Sequence, residues 1–470
     1  MKQLKRFLTL SITASMLAGG FASCSDNDDD KLPETPRALA FQFNESENAL
    51  RYPVDITFSA DCQAQIRYWE KGRPETVRIT DPVATQGGKA TVMVKFVKGR
   101  TEYDFEILAN GTPQEQPLSF RTNDVPPQVP IYNVTVDNEG APTKGYVLQW
   151  QATKPGYITF CDMDGNVVWY EEFDQAIRMA HYDSIQQRMC VLTGFRDGVN
   201  SKNFQRLCDK IITLDLDGNR EVEWVASDEN VPYPHHDIKY TPSGDLIMVC
   251  NTKKEFDLSS FGLGVNDTVW GDGFTIINQT TLKKESWNNF GELTPFNSND
   301  VILERGAVKD FLHANSVNWD SNGDYYMTFN RINELWKING KTGDVIYRVG
   351  PNGNVELDPE GYACGLHAAE PLAPNKVLCF DNGSDKGQSR AIIYEIDPAA
   401  KSAKVTLSVP IPKEYSSTDR SNVQLISDGK QLFFGSTLGR AGIFTDLEGN
   451  ILKVITRTGI SYRAYYYPDL

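Results

Sequence analysis

From residue 131 onward the chain repeats itself, and no other feature limits its fold so strongly. One element of the repeat is a hairpin turn followed by an apolar strand, as in Asp162-Met163-Asp164-Gly165-Asn166-Val167-Val168-Trp169. It recurs at Asp215-Leu216-Asp217-Gly218-Asn219, Asn278-Gln279-Thr280-Thr281-Leu282, Asn339-Gly340-Lys341-Thr342-Gly343, Asp397-Pro398-Ala399-Ala400 and Asp446-Leu447-Glu448-Gly449-Asn450. These six copies stand roughly 50 to 63 residues apart, the length of a propeller repeat. A second tight turn precedes the later copies, around Gly244, Gly323, Asn375 and Gly429. Two hairpin turns per repeat give four antiparallel strands, and six such sheets set radially form a six-bladed β-propeller over residues 131–470. Helix-period patterns are almost absent.

Label the strands of a blade A to D from the inside outward. Strand alternation then places the A–B and C–D turns on one face, the bottom. The B–C loops and the blade connections lie on the top. The chain has five histidines. His235 and His236 begin strand A of blade 3, His313 that of blade 4 and His367 that of blade 5, while His181 stands at the corresponding place in blade 2. All are therefore expected at the upper ends of innermost strands, converging on the mouth of the central channel. Such convergence at one repeat position predicts a functional cluster. Arg331 follows strand B of blade 4 and emerges near His313, and Asn315 lies two residues below it. Asn251 and Asn382 end strand B in blades 3 and 5 as hydrogen-bonding candidates. Long top loops surround the mouth, at about 251–272 with Phe256, Phe261 and Trp270, and at about 289–312 and 351–366. Ser421 and Asn422 stand near the start of strand A in blade 6.

A His and Arg cluster suits a small anionic ester. Arg offers a planar fork of donors, and His can donate, move protons or attack. No Gly-rich phosphate loop or nucleotide fingerprint is present, so a nucleotide-carried donor is unsupported. His235-His236-Asp237, His313-Ala314-Asn315-Ser316-Val317, Arg331 after an 18-residue gap, and His367 with the run Pro374 to Gly383 together resemble the bacterial arylsulfate sulfotransferase family. The resemblance implies transfer of a sulfuryl group between phenols without a nucleotide donor and with neither cofactor nor metal. His367 matches the nucleophile that becomes transiently sulfated. Arg331 would then hold sulfuryl oxygens, and His236 and His313 would serve the remaining oxygen, the phenolate and the incoming phenol. His235, Asn315 and Asn382 complete the expected substrate contacts. Two other readings stay open: a metal-dependent propeller hydrolase or lyase with His236, His313 and His367 as ligands, and a surface lipoprotein that binds without turnover.

Residues 36–125 carry short alternating runs between turn residues, as expected of a β-sandwich. The segment Gly99 to Phe105 with Leu118 to Thr122 resembles the last strands of a fibronectin type III or immunoglobulin-like module, and Val125 to Pro130 is a stiff linker. Residues 1–23 read as a secretory signal, with Lys2, Lys5 and Arg6 before an apolar stretch. Phe21-Ala22-Ser23-Cys24 resembles a lipobox with Cys24 as the lipidated residue, and residues 24–35 form an acidic linker. Export and lipid anchoring in the outer membrane follow as the expectation. A formal net charge of −15 argues against a nucleic-acid binder. Seven further cysteines include no Cys-x-x-Cys pair, and Cys161, Cys190, Cys250 and Cys379 fall in apolar runs expected to bury thiols. Donor, acceptor and oligomeric state are not readable from the sequence.

Overall fold

The computed structural model describes residues 35–114, 116–195, 208–226, 232–296 and 310–470. The leader, Cys24 and most of the acidic linker lie outside the described residues. The chain divides into two compact units: residues up to Val129 together with Val167–Tyr170, and Pro130–Asn166 with Glu171–Leu470.

The first unit contains two antiparallel sheets. One pairs Ala38–Phe43, Tyr52–Phe58 and Lys89–Val94 in that order, and the other is built around Gln63–Glu70 and Glu102–Ala109. Alternate residues of Tyr52–Phe58 and Gln63–Glu70 are buried, the period-two pattern of strands with one face to a core. Rings from the two sheets meet there, with Phe41 and Phe105 at 5.6 Å and Phe43 and Phe105 at 5.3 Å between centroids.

The second unit is a β-propeller. Among the described residues it has six antiparallel sheets, each of four or five strands. The six repeated turns read from the sequence all fall between third and fourth strands, as in Gly156–Asp162 to Val167–Phe173 and Ala441–Asp446 to Ile451–Arg457. Their chemistry is local: the Asp162 carboxylate accepts from the backbone N–H of Asp164 and Asn166, and Gly165 takes φ +84. Innermost strands are Ile177–Asp183, Pro234–Tyr240, Ala314–Trp319, Leu366–Ala373 and Asn422–Ile426 in blades 2 to 6. Neighbouring blades bury apolar faces against each other, as where Val249, Phe274, Val317, Phe329 and Trp336 form one core between blades 3 and 4.

Ring closure uses two strands out of chain order. Tyr132–Asp137 forms the outer edge of blade 6 against Ile451–Arg457, and Ala464–Tyr467 forms the inner edge of blade 1 against Tyr146–Trp150. Between blades 6 and 1 the Asn422 side chain stands in for a strand: its Nδ2 donates to Ala464 O at 2.7 Å and its Oδ1 accepts from Ala464 N at 3.0 Å. Gly435 is obligatory beside it, because a Cβ there would stand 2.6 Å from Ala464 N. All seven cysteines of the described residues are free thiols, and Cys161, Cys190, Cys250 and Cys379 are buried. Replacing Asn422→Leu leaves two buried backbone groups unpaired, which should cost about 2–4 kcal/mol of stability and lower the urea midpoint accordingly.

Candidate functional site

Four successive inner strands break their register near the upper end. The shifts fall between Ile177 and Met179, Pro234 and Ile238, Ala314 and Ser316, and His367 and Glu370. Left-handed backbone accompanies them at His236 (φ 59), His313 (φ 60) and Ala368 (φ 51), and in blade 6 at Arg420 (φ 62) and Ser421 (φ 75). Such conformations are uncommon for non-glycine residues and cost on the order of 1–3 kcal/mol each. A bulge re-aims a side chain out of the strand's alternation. Here the bulged residues form one cluster around the channel axis.

His367 is buried, and its partners fix its tautomer. Nδ1 lies 2.7 Å from Asn382 Oδ1 and 2.8 Å from Gly365 O, both acceptors, so Nδ1 carries the proton. Asn382 cannot turn the other way, because its Nδ2 donates to Ser417 O at 2.5 Å and Arg420 O at 3.2 Å. Nε2 therefore carries a lone pair, contacted by the Arg420 backbone N–H at 3.3 Å. Burial pushes the His367 pKa from 6.5 to about 3, against the hydrogen bond to Gly365. The ring is thereby held in its neutral Nδ1–H form.

A second chain of hydrogen bonds begins at Arg178. Its Nη2 donates to His236 Nε2 at 2.6 Å, so the His236 proton is on Nδ1. That Nδ1 faces His235 Nδ1 at 2.7 Å, and His235 Nε2 faces Asp272 Oδ1 at 3.3 Å. Burial and the neighbouring Arg178 hold His236 well below the ordinary histidine pKa, and burial lowers His235 as well. The Arg178 guanidinium also lies 4.5 Å from the centroid of Tyr462.

His313 and Arg331 share Asp310. His313 Nδ1 stands 2.9 Å from Asp310 Oδ2, and Arg331 donates to the same oxygen from Nη2 at 2.9 Å and Nε at 3.2 Å. His313 Nε2 remains for a substrate, with the side chain 28% exposed at the mouth. The His313 ring lies 4.9 Å from His236, and the buried Tyr462 ring lies 5.6 Å from His236 and 6.5 Å from His367. These centroid distances put all four rings around one volume. The Tyr462 hydroxyl is buried without a hydrogen-bond partner among the described residues.

An ion-pair layer closes the cluster from below. Asp237 Oδ2 accepts from Lys239 Nζ at 3.0 Å and Val317 N at 3.1 Å, and Oδ1 meets Arg463 Nη1 at 3.1 Å. Burial opposes the Asp237 charge, yet the two cations hold its pKa below the carboxylate norm.

The structure thus brings His235, His236, His313, His367 and Arg331 together. It corrects three expectations of placement, for His181, Asn315 and the stretch at 251–272. His181 lies three residues below Arg178, deeper in the channel, and it is Arg178 that occupies the bulge of blade 2. Asn315 does not share the direction of His313, because the bulge between them breaks the alternation: its Nδ2 donates to Leu366 O at 2.8 Å and its Oδ1 accepts from Thr328 at 2.6 Å. Asn382 stands behind His367, bonded to its Nδ1, and His235 stands behind His236, facing its Nδ1. The stretch at 251–272 is mostly a long hairpin, Leu246–Phe256 against Asp267–Ile277, whose Phe256 packs on Phe290 and Phe296. Part of the connection at 289–312 lies outside the described residues. Ser421 and Asn422 belong to the scaffold through Thr437 and Ala464. Sequence reasoning missed Arg178, Asp310, Tyr462 and Arg463. The repeat register would have exposed Arg178 had the bulge been counted.

Among the described residues, no three His, Cys, Asp or Glu side chains are grouped to hold a metal ion. The arrangement offers instead one fixed lone pair, one carboxylate-oriented imidazole and two guanidinium groups around a common volume. Such a set of donors can receive a small anionic group. The chain belongs to the arylsulfotransferase (ASST) family, which matches residues 131–459, and aryl sulfuryl transfer is the activity class that membership supports. Among curated proteins nothing matches. Similar solved structures include a protein of unknown function from Bacteroides caccae (10% identity, 69% of this chain and 98% of that one, TM-score 0.42). Others are a virginiamycin B lyase from Staphylococcus aureus with quinupristin (11%, 69% and 99%, 0.32) and AztD from Citrobacter koseri (9%, 87% and 100%, 0.31).

The His367 geometry sets a pH expectation. Its unfolded pKa is near 6.5 and its folded one about 3, so below 6.5 the unfolded state binds more protons. Stability should then fall as pH drops through 6.5 toward 3, by up to about 1.4 kcal/mol per pH unit for this one group. Nitrogen-15 spectra should show His367 as the neutral Nδ1–H tautomer throughout pH 5 to 8, with the signal disturbed in Asn382→Ala.

Proposed function

We propose that the protein moves a sulfuryl group from a phenolic sulfate ester to a phenol through a sulfohistidine at His367, in two half-reactions. The observation that carries this reading is the locked His367 tautomer, with Nδ1–H held by Asn382 and Gly365. In the first half-reaction Nε2 attacks sulfur, the S–Nε2 bond forms and the S–O(aryl) bond breaks. The phenolate leaves with its electron pair, and the sulfated ring keeps its Nδ1 proton. In the second, the acceptor phenol oxygen attacks sulfur and Nε2 leaves. His313, oriented by Asp310, lends a proton to the departing phenolate and recovers one from the acceptor, so the cycle is proton-neutral. Arg331 and Arg178 stabilise the sulfuryl oxygens in a loose transition state, where positioning and charge matter most. His236 receives an N–H from Arg178 and acts by aiming that guanidinium, rather than as a donor itself. The leader with Cys24 supports an exported, lipid-anchored enzyme.

Incubation with 4-nitrophenyl sulfate should release nitrophenolate in a phenol-dependent manner. His367→Ala should lose about a thousandfold or more in kcat. Rapid quenching without acceptor should leave one added sulfuryl group on the His367 peptide. Phenol-independent release, or turnover retained in His367→Ala, would refute the covalent route.

A further inference from the structure

The axial channel continues below the Asp237 layer. There the lower halves of the inner strands enclose a cavity of about 360 Å³, with His181, Lys239, Trp319, Glu370, Tyr465 and Tyr467 in its wall. That volume accommodates a small organic molecule. It contains no residue of the histidine cluster above.

The wall is not chemically neutral. Lys239 and Arg463 line the cavity, and both turn to Asp237 in the layer above it, where their charges are answered. Asp183 also lines the cavity, and its Oδ1 accepts from Ile185 N at 3.0 Å and Gln186 N at 2.7 Å. Asp183 and Glu370 in the wall, together with Asp237 in the layer above, set three carboxylates against the two cations and leave one formal negative charge. Among the described residues neither Glu370 nor His181 has a hydrogen-bond partner for its side chain. Around them stand aromatic faces: Tyr465 meets the His181 ring at 5.6 Å, and Tyr467 and Trp319 line the same space. A carboxylate, a neutral imidazole and several aromatic faces make up the chemistry that recognises an ammonium group.

We propose that this lower cavity binds a small organic ammonium ion, with its charge on Glu370 and its carbon groups against Trp319, Tyr465 and Tyr467. Burial pushes the Glu370 pKa up to about 7 although Lys239 opposes the shift, so without a cation its charge is poorly supported. Burial also holds His181 at about 3, leaving a neutral ring able to accept a hydrogen bond. The titratable and charged groups that line the cavity with Glu370 are His181, Asp183, Lys239, Arg463 and the tyrosines Tyr240, Tyr465 and Tyr467.

The test is calorimetric titration of the full chain with tetramethylammonium, with choline and, as the opposite charge, with sulfate. Saturable binding of the ammonium ions is expected, tightening about tenfold from pH 6 to pH 8 as Glu370 ionises. Glu370→Gln should weaken it at least tenfold and flatten the pH profile. Trp319→Leu, which keeps the carboxylate, should weaken tetramethylammonium severalfold, so the test does not rest on one variant. His367→Ala should bind as the native protein does, which separates this site from the cluster above. No saturable ammonium binding at any pH, an affinity unchanged in Glu370→Gln, or displacement by sulfate would overturn the proposal.

Discussion

The buried carboxylate of Asp237 is the interaction around which the propeller axis is organised. It reaches Lys239 on its own strand, the Val317 backbone on the next blade and Arg463 at the entry to the last strand. Arg463 in turn donates to Asn315 O at 2.6 Å, and the Asn315 side chain holds Leu366 O, one residue before His367. A single buried charge therefore links four blades. A buried carboxylate left without these cations would be severely destabilising. The layer also divides the channel into an upper volume that holds His235, His236, His313 and His367 and a lower one that holds His181 and Glu370.

Above that layer the fold maintains a repeated irregularity. A regular inner strand would send alternate side chains into the neighbouring blades. Register breaks at 235–237, at Asn315 and at 368–369, with left-handed backbone at His236, His313 and Ala368, interrupt that alternation. Local backbone strain is the physical means of concentrating three imidazoles in one place, and the packed interblade cores supply the stability that offsets it. The supporting hydrogen bonds then assign each ring a different task. His367 presents a lone pair, His236 accepts from a guanidinium, and His313 leans on a carboxylate.

Much of this was legible in the sequence. The Asp-x-x-Gly turns announce themselves by local chemistry, and their spacing yields the blades. Histidine is rare enough here that its position within the repeat carried information, which is why His235, His236, His313 and His367 were found with Arg331. Counting residues from the turns does not register an added bulge residue, so the sequence alone places His181 too high, aims Asn315 with His313 and hides Arg178. Asp310 was hidden in a long connection without repeat register. Tyr462 and Arg463 belong to a tyrosine-rich segment that has no turn of its own, and nothing local shows that it returns to blade 1.

That return has a consequence for synthesis. The strand Ala464–Tyr467 lies innermost in blade 1, and Tyr462 and Arg463 enter the axis with it. A nascent chain that has already made every histidine still lacks one of the two cations for Asp237 and the ring that faces His236 and His367. The ring of blades is an open arc until then, with one apolar flank uncovered. Assembly of the site is thus tied to the emergence of Tyr462, Arg463 and the strand Ala464–Tyr467, so a product truncated before Tyr462 carries every histidine without their arrangement.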